Sequence, residues 1–293
     1  MKIKIIVDSS CGLNEDQAKE LGWGFIPLQA EIDKNTYQIG RNIQISHYAK
    51  MWKENKKIDA KTSASSLGEN EKIVSEYIDK YDKVVIYCIS QFLSSQTSFV
   101  TNQFKDNDKV YVVQSKKLSF LILRDLLIFE DDIKNGMSFE DATKIFNENN
   151  ERLILIPQFN DALVKGGRLS KTAAAIAKLL KIVPIIKFDN GVLEKDGIGR
   201  IFVKSLEKVV NEMWQNNKEE TKDKYFLIIH AESEMLDELV NKFKIIINNE
   251  IPVYSFAMPV DIAIHTGIGA ICTTIAKIKP EIAKDFLKFA KKW

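Results

Sequence analysis

Two kinds of anion-binding chemistry are spelled in the residue types and spacing of this chain. The first lies at Leu163-Val164-Lys165-Gly166-Gly167-Arg168-Leu169-Ser170. Consecutive glycines let a backbone turn tightly, or approach a ligand where a Cβ would collide. The arginine that follows carries five donors in a planar fork suited to carboxylate or phosphate. The same letters also describe a plain Gly-Gly turn with a solvated arginine. The second kind is hydroxyl chemistry. Thr62, Ser63, Ser65 and Ser66 crowd one short stretch, and Ser90, Ser94 and Ser95 follow an apolar run. Such hydroxyls either hydrogen-bond an anionic headgroup or cap the helix that comes next. His265 stands in a third place, closing an apolar half-turn against the glycine-flanked Thr266-Gly267-Ile268-Gly269.

The elements around these groups indicate an α/β chain. Ile3, Ile5, Ile6 and Val7 form an apolar strand that runs into Asp8-Ser9-Ser10-Cys11-Gly12, with a helix starting near Asn14. This is the βα loop of a parallel sheet, where ligands gather at the carboxyl ends of strands. Asp8, Ser9 and Ser10 suit ligand binding and helix capping equally. Strands at 83–89 and 109–113 repeat the pattern, so Ser9, Ser90 and Ser115 should line one edge of one sheet. Residues 23–32 read as a single strand and Asp33-Lys34-Asn35 as a hairpin turn. Helices are expected over 46–55, 69–80, 118–133 and 137–150, with a strand over 152–157 at the domain boundary.

Beyond that boundary, Ser170 should cap a helix over 171–180. Asn190-Gly191 between apolar runs is a strong hairpin signal, so the second half should hold antiparallel pairing that the first lacks. Strands at 225–230, 253–256 and 270–278 and helices at 200–214, 235–248 and 280–291 complete it. The expected fold is therefore a parallel, Rossmann-like N-terminal domain, 1–157, and a C-terminal α/β domain with a mixed sheet, 158–293.

Composition narrows the function classes. The 293 residues are 45% hydrophobic and 28% charged, and 42 basic against 40 acidic residues leave a net charge of +2. That balance does not mark a nucleic-acid binder. Cys11, Cys88 and Cys272 are distant and odd in number, which argues for a reducing compartment and against a disulfide framework or metal site. No apolar run approaches the roughly 20 residues of a membrane span, and the charged N-terminus does not read as a signal peptide; a cytoplasmic protein is expected. Neither G-x-G-x-x-G nor G-x-S-x-G occurs. Cys88 and Cys272 should be packed thiols, whereas Cys11, in a polar loop, could be reactive. His47 reads as a surface residue and His230 as a strand-end one.

Taken together the chain resembles the DegV family of bacterial fatty-acid-binding proteins. The resemblance runs nearly the whole length, through Asp8-Ser9-Ser10, Thr62-Ser63 with Ser66, Ser90 with Leu93-Ser94, Lys165 to Ser170, Ile182-Pro184-Ile185, Arg200, and His265 to Gly269. It implies a non-enzymatic carrier with no cofactor, holding one long-chain fatty acid such as palmitate, stearate or oleate. The acyl tail would be buried in a tunnel and the carboxylate would lie near the domain interface. Carried over, Thr62, Ser63, Ser94 or Ser90, and His265 with Thr266, would contact the carboxylate, and Arg168 would sit at the mouth. The implied partners are a fatty-acid kinase, which makes an acyl phosphate for phospholipid synthesis, and a transient membrane surface for lipid exchange. This sequence departs from the pattern at Ser95-Gln96, where Gly-Thr is usual, and at Ser65, where proline is common. Gln114 and Ile268 replace a common aspartate and proline. The rival readings are a hydrolase with Ser63 or Ser94 as nucleophile and His265 as base, and a non-catalytic lipid sensor.

Overall fold

A computed structural model describes residues 1–148, 152–177 and 182–293. The chain forms two compact units, Met1–Glu148 with Pro259–Ile262, and Asn149–Met258 with Ala263–Trp293.

In the first unit, β1 (Ile3–Asp8) leads through a 3-10 turn, Ser9–Cys11, to α1 (Glu15–Glu20) and β2 (Gly24–Ile26). Next come β3 (Gln29–Ile32), β4 (Asn35–Gln38), α2 (Ile45–Glu54), β5 (Ala60–Ser63), α3 (Leu67–Ile78) and β6 (Lys83–Tyr87). The unit ends with α4 (Gln96–Phe104), β7 (Val110–Val112), α5 (Phe120–Lys134) and α6 (Phe139–Ala142). Its main sheet is parallel in the order β2-β1-β6-β7. Ile6, Val84 and Ile86 project from one face into a core with Ile73 and Val74 of α3 and Val100 and Phe104 of α4. Tyr87 meets α5, where its hydroxyl faces Asp125.

Residues 23–32 are two strands rather than one. Pro27, between them, has no N–H to give to a ladder, and the strands part company there. β2 pairs with β1, while β3 pairs antiparallel with β4 and β5 in a three-stranded sheet. The first unit therefore also contains antiparallel pairing, contrary to the expectation from sequence. The hairpin turn is as expected, with Asp33 and Lys34 at positive φ. The helix expected over 137–150 changes at Thr143 to a 3-10 turn, Thr143–Asn147, and its last two residues lie outside the described ones.

The second unit begins with β8 (Leu153–Ile156), α7 (Asp161–Gly166), α8 (Lys171–Ala177), β9 (Val183–Asp189), β10 (Val192–Gly199) and α9 (Phe202–Gln215). It continues through β11 (Lys224–His230), α10 (Leu236–Ile246), β12 (Val253–Ala257), α11 (Val260–Thr266), β13 (Ile271–Lys277), α12 (Pro280–Leu287) and β14 (Lys291–Lys292). The first residues of α11 belong to the first unit. Among the described residues the sheet has seven strands, β10-β9-β8-β13-β11-β12-β14, of which only β11 and β12 pair in parallel. β8 is hydrogen-bonded to β9 and β13. The strand that sequence reading placed ahead of the boundary thus joins the second unit's sheet. Asn190 and Gly191 both adopt the left-handed conformation a two-residue hairpin demands. The apolar stripes of α9 and α10 pack Leu206, Val210, Trp214, Leu239 and Phe243 on Ile154, Phe226 and Ile228. Ser170 caps α8 through the Ala173 N–H; the expected extension to Leu180 lies outside the described residues.

Candidate functional site

The carboxyl ends of β1 and β6 in the first unit are laced together by short polar bonds. Asp8 accepts the N–H and hydroxyl of Ser10 and, across the strand boundary, the Ile89 N–H at 2.9 Å. Ser90 N–H donates to the Lys117 carbonyl and Gln91 N–H to that of Ser115, joining the loop after β7 to the end of β6. The three serine-rich strand ends do lie side by side. Asp8, Ser9 and Ser10 are buried, and Asp8 serves the 3-10 turn as its cap. Burial pushes the Asp8 carboxyl up to about 6, against the pull of its hydrogen bonds.

Thr62 and Ser63 end β5; Thr62 is half-buried, and the exposed Ser63 faces Gln29 Oε1 at 3.5 Å. Ser90 is fully buried, and its hydroxyl accepts from the Phe92 N–H. Ser94 is half-buried and accepts the Gln96 N–H at 3.2 Å. The loop carrying Thr62 and Ser63 is tied to the loop carrying Ser94 by Ser65 and Gln96. Ser65 N–H donates to Gln96 Oε1 at 2.9 Å, and Gln96 Nε2 donates to Ser65 Oγ at 2.7 Å. Asn70 completes the cluster. Ser65 and Gln96 are two of the positions where this sequence leaves the family pattern, and here they are partners. A buried amide in place of a threonine supplies both a donor and an acceptor, which the serine uses and a proline could not.

A second buried group went unread in the sequence. Lys117, Arg124, Asp125 and Tyr87 are all nearly or wholly inaccessible. Asp125 takes two bonds from Arg124, at 3.1 and 2.7 Å, faces the Tyr87 hydroxyl, and lies 3.6 Å from Lys117 Nζ. Burial raises Asp125 and lowers Lys117, each resisted by the opposite charge. The signal was available: Arg124-Asp125 interrupts an otherwise apolar run in α5. Asp261 also belongs to this unit; it is 4% exposed, and its carboxyl is met only weakly, by the N–H groups of its own helix turn at Asp261 and Ile262. Burial, and then the charge of Asp8, push it up to about 7.

In the second unit the two glycines of the Gly-Gly-Arg turn answer different demands. Gly166, the last residue of α7, packs against His265; a Cβ there would stand 3.1 Å from Nδ1 and 3.3 Å from the backbone oxygen. Gly167 caps the helix with φ 67 and ψ 16, and a Cβ on it would meet nothing. The left-handed cap turns the chain so that Arg168, exposed, folds back and donates from Nη1 to the Gly166 carbonyl at 2.6 Å. His265 ends α11 half-buried. Burial, and then the Arg168 guanidinium, hold its imidazole down at about 4, so it is neutral at neutral pH. Thr266 is buried with its hydroxyl 3.1 Å from Met258 Sδ. This corner offers an anion a fixed neutral imidazole and a permanent cation, on a turn whose shape depends on both glycines.

No side chain bonds the Asp261 oxygens, so Asp261 does not orient His265, although the two are one helical turn apart. Cys11, open to reactivity by sequence, is buried, and burial pushes its thiol up, which makes it inert. Among the described residues, no three His, Cys, Asp or Glu converge as a metal site, and no helix is long and apolar enough to cross a membrane.

Known proteins give the fold its relatives. Residues 2–277 match a family model described as "Uncharacterised protein, DegV family". A DegV domain-containing protein of Mycoplasmopsis pulmonis is 38% identical over 294 residues, covering 98% of this chain and 99% of the relative. Among solved structures, DegV of Bacillus subtilis, a fatty acid binding protein, superposes with a TM-score of 0.81 at 23% identity. It covers 94% of this chain and 99% of its own. A stearic acid-binding protein of Eubacterium ventriosum gives a TM-score of 0.79 at 22% identity, covering 94% and 98%. At these identities the structural likeness speaks for the fold, while the family model and the 38% relative speak for descent. By them, this chain belongs to the DegV family.

Proposed function

We propose that this protein binds one long-chain fatty acid, tail buried, and presents its carboxylate to a separate fatty-acid kinase for acyl-phosphate formation. The observation that carries the reading is likeness, over 94% of the chain, to two proteins that bind fatty acid. Palmitate, stearate and oleate are the ligand class. Burying the tail is favourable by about 0.8 kcal/mol per methylene, so a long acyl chain provides ample affinity. The difficulty is the carboxylate, whose burial is costly unless several donors meet it. In this reading Thr62, Ser63, Ser90 and Ser94 supply hydroxyls, His265 an imidazole N–H, Thr266 a further hydroxyl, and Arg168 the positive charge at the mouth.

A neutral donor set has a chemical advantage over a salt bridge. Hydroxyls and a neutral imidazole hold a carboxylate without neutralising it, so its oxygen keeps the nucleophilicity that accepting a phosphoryl group requires. The carrier needs no ATP site of its own and acts by positioning. It works inside the cell, exchanging its ligand by transient contact with a membrane surface. The test is a titration of delipidated protein with oleate. Joint Ser63→Ala and His265→Ala substitution is expected to weaken binding by about tenfold or more, as loss of charge-assisted bonds does. Unchanged affinity would refute this headgroup assignment.

A further inference from the structure

Gln96 opens α4 with no exposed surface, and both ends of its amide meet one residue of another loop. Oε1 accepts the Ser65 N–H at 2.9 Å, and Nε2 donates to Ser65 Oγ at 2.7 Å. Ser65 Oγ donates onward to Asn70 Oδ1, and Asn70 Nδ2 donates to Gln103 Oε1 at 3.2 Å, two turns along α4. Gln103 Nε2 then reaches the Leu67 carbonyl at 2.8 Å, so the bonds close a ring between the starts of α3 and α4. A network of this kind adds little stability over apolar side chains of the same shape. Fully satisfied, it fixes one arrangement of the segments that it joins. Those segments carry the accessible hydroxyls. Thr62 and Ser63 end β5, an edge strand of the three-stranded sheet, and Ser65 follows two residues on. Ser94 lies in the loop after β6 of the parallel sheet and accepts the Gln96 N–H at 3.2 Å. Thr62 and Ser94 are half-buried and Ser63 is exposed, whereas Ser65, Asn70 and Gln96 are buried. Because β5 and β6 lie in different sheets, side-chain bonds rather than a shared ladder set the spacing between these hydroxyls.

We propose that Gln96 is a positioning residue for the acyl headgroup: by clamping Ser65 it holds Thr62 and Ser63 at the distance from Ser94 that lets both loops bond one carboxylate. The proposal rests on the fatty-acid reading above. Hydroxyls that serve one carboxylate must be placed to within about half an ångström, since a bond made near about 2.9 Å is nearly lost at about 3.5 Å. Gln96 makes no bond to the ligand and acts through Ser65. Its loss therefore loosens the grip on the carboxylate and leaves the burial of the tail as it was.

The experiment compares two ligands with the same tail, dodecanoate and dodecanol, titrated calorimetrically into delipidated parent and variants. Gln96→Met fills much the same space without either amide bond. Its affinity for dodecanoate is expected to fall by about tenfold, and its affinity for dodecanol to stay within about twofold of the parent's. Ser65→Ala keeps the N–H bond to Oε1 and loses only the hydroxyl, so it should show a smaller loss of the same kind. In the double variant Ser65→Ala should add little, because the clamp is already open. Where Gln96→Met does not fold, the two-ligand comparison in Ser65→Ala decides. An equal fall for both ligands, which a merely structural role would give, would overturn the proposal while leaving fatty-acid binding intact. So would unchanged affinity for dodecanoate, or losses that simply add in the double variant. A parent that takes up neither ligand would instead remove the fatty-acid reading, and this proposal with it.

Discussion

Replacing Gly166 and Gly167 by alanine, one at a time, separates two roles that the sequence runs together. At Gly166 the new methyl would stand 3.1 Å from His265 Nδ1 and 3.3 Å from both its Cβ and its backbone oxygen. Comfortable contacts begin near 3.5 Å, so the imidazole must withdraw by roughly half an ångström. A hydrogen bond made at about 2.9 Å is nearly lost at 3.5 Å. Where that bond reaches a carboxylate, its loss is about 1.5–3 kcal/mol, or roughly ten- to a hundredfold in affinity. At Gly167 the methyl meets nothing, but the residue sits at φ 67, where a side chain costs about 1–2 kcal/mol. Calorimetric titration with oleate, paired with thermal unfolding, tells them apart. Gly166→Ala should lose affinity, whereas Gly167→Ala should lower the melting temperature by several degrees and keep its affinity. Parental affinity in Gly166→Ala, or an equal loss in both variants, would refute the assignment of His265 as the group that Gly166 positions.

Further outcomes follow from the same geometry. Asp125→Ala removes the buried carboxylate that faces Lys117 and Arg124, and urea unfolding should show a loss of about 3–5 kcal/mol; a loss under about 1 kcal/mol would mean that the two cations do not depend on it. The two units should respond oppositely to pH. In the first, Asp8 and Asp261, raised from 3.8 to about 6 and about 7, contribute stability that is whole below about pH 4 and lost as pH rises through those values. In the second, His230 and His265, lowered from 6.5 to about 4 mainly by burial, contribute stability that is whole above 6.5 and lost as pH falls toward 4. Hydrogen exchange between about pH 5 and 6.5, corrected for intrinsic rates, should show protection falling in the first unit and rising in the second; parallel trends would contradict both assignments. Arg168→Ala should impair the kinase-coupled reaction more than fatty-acid binding, and equal phosphorylation of parent and variant cargo would contradict that role.

The parts of the fold set by local rules were legible in the sequence. Asn190-Gly191 specified its hairpin because two successive left-handed residues allow few alternatives, and the serines after β1, β6 and β7 marked strand ends that do lie together. Pairing over long sequence distances was not legible. Pro27 divides residues 23–32 between two sheets, and β8 chooses partners far along the chain, which no local pattern encodes. The site shows the same contrast. Gly166-Gly167-Arg168 announced itself by residue type, although the reason for the first glycine, His265, lies about a hundred residues away. Ser65 and Gln96 looked like separate departures from the family pattern because their hydrogen bonds span 31 positions. Asp261, read only for its distance from His265, gave no sign of being buried, since burial is a property of the folded neighbourhood.

The central claim, that this chain carries one fatty acid, is tested most directly by native mass spectrometry of the purified protein, followed by denaturation and lipid extraction. The account predicts a mass excess equal to one long-chain acid per chain, released intact on denaturation and restored by added oleate. A protein that emerges empty and takes up no added acid would contradict it.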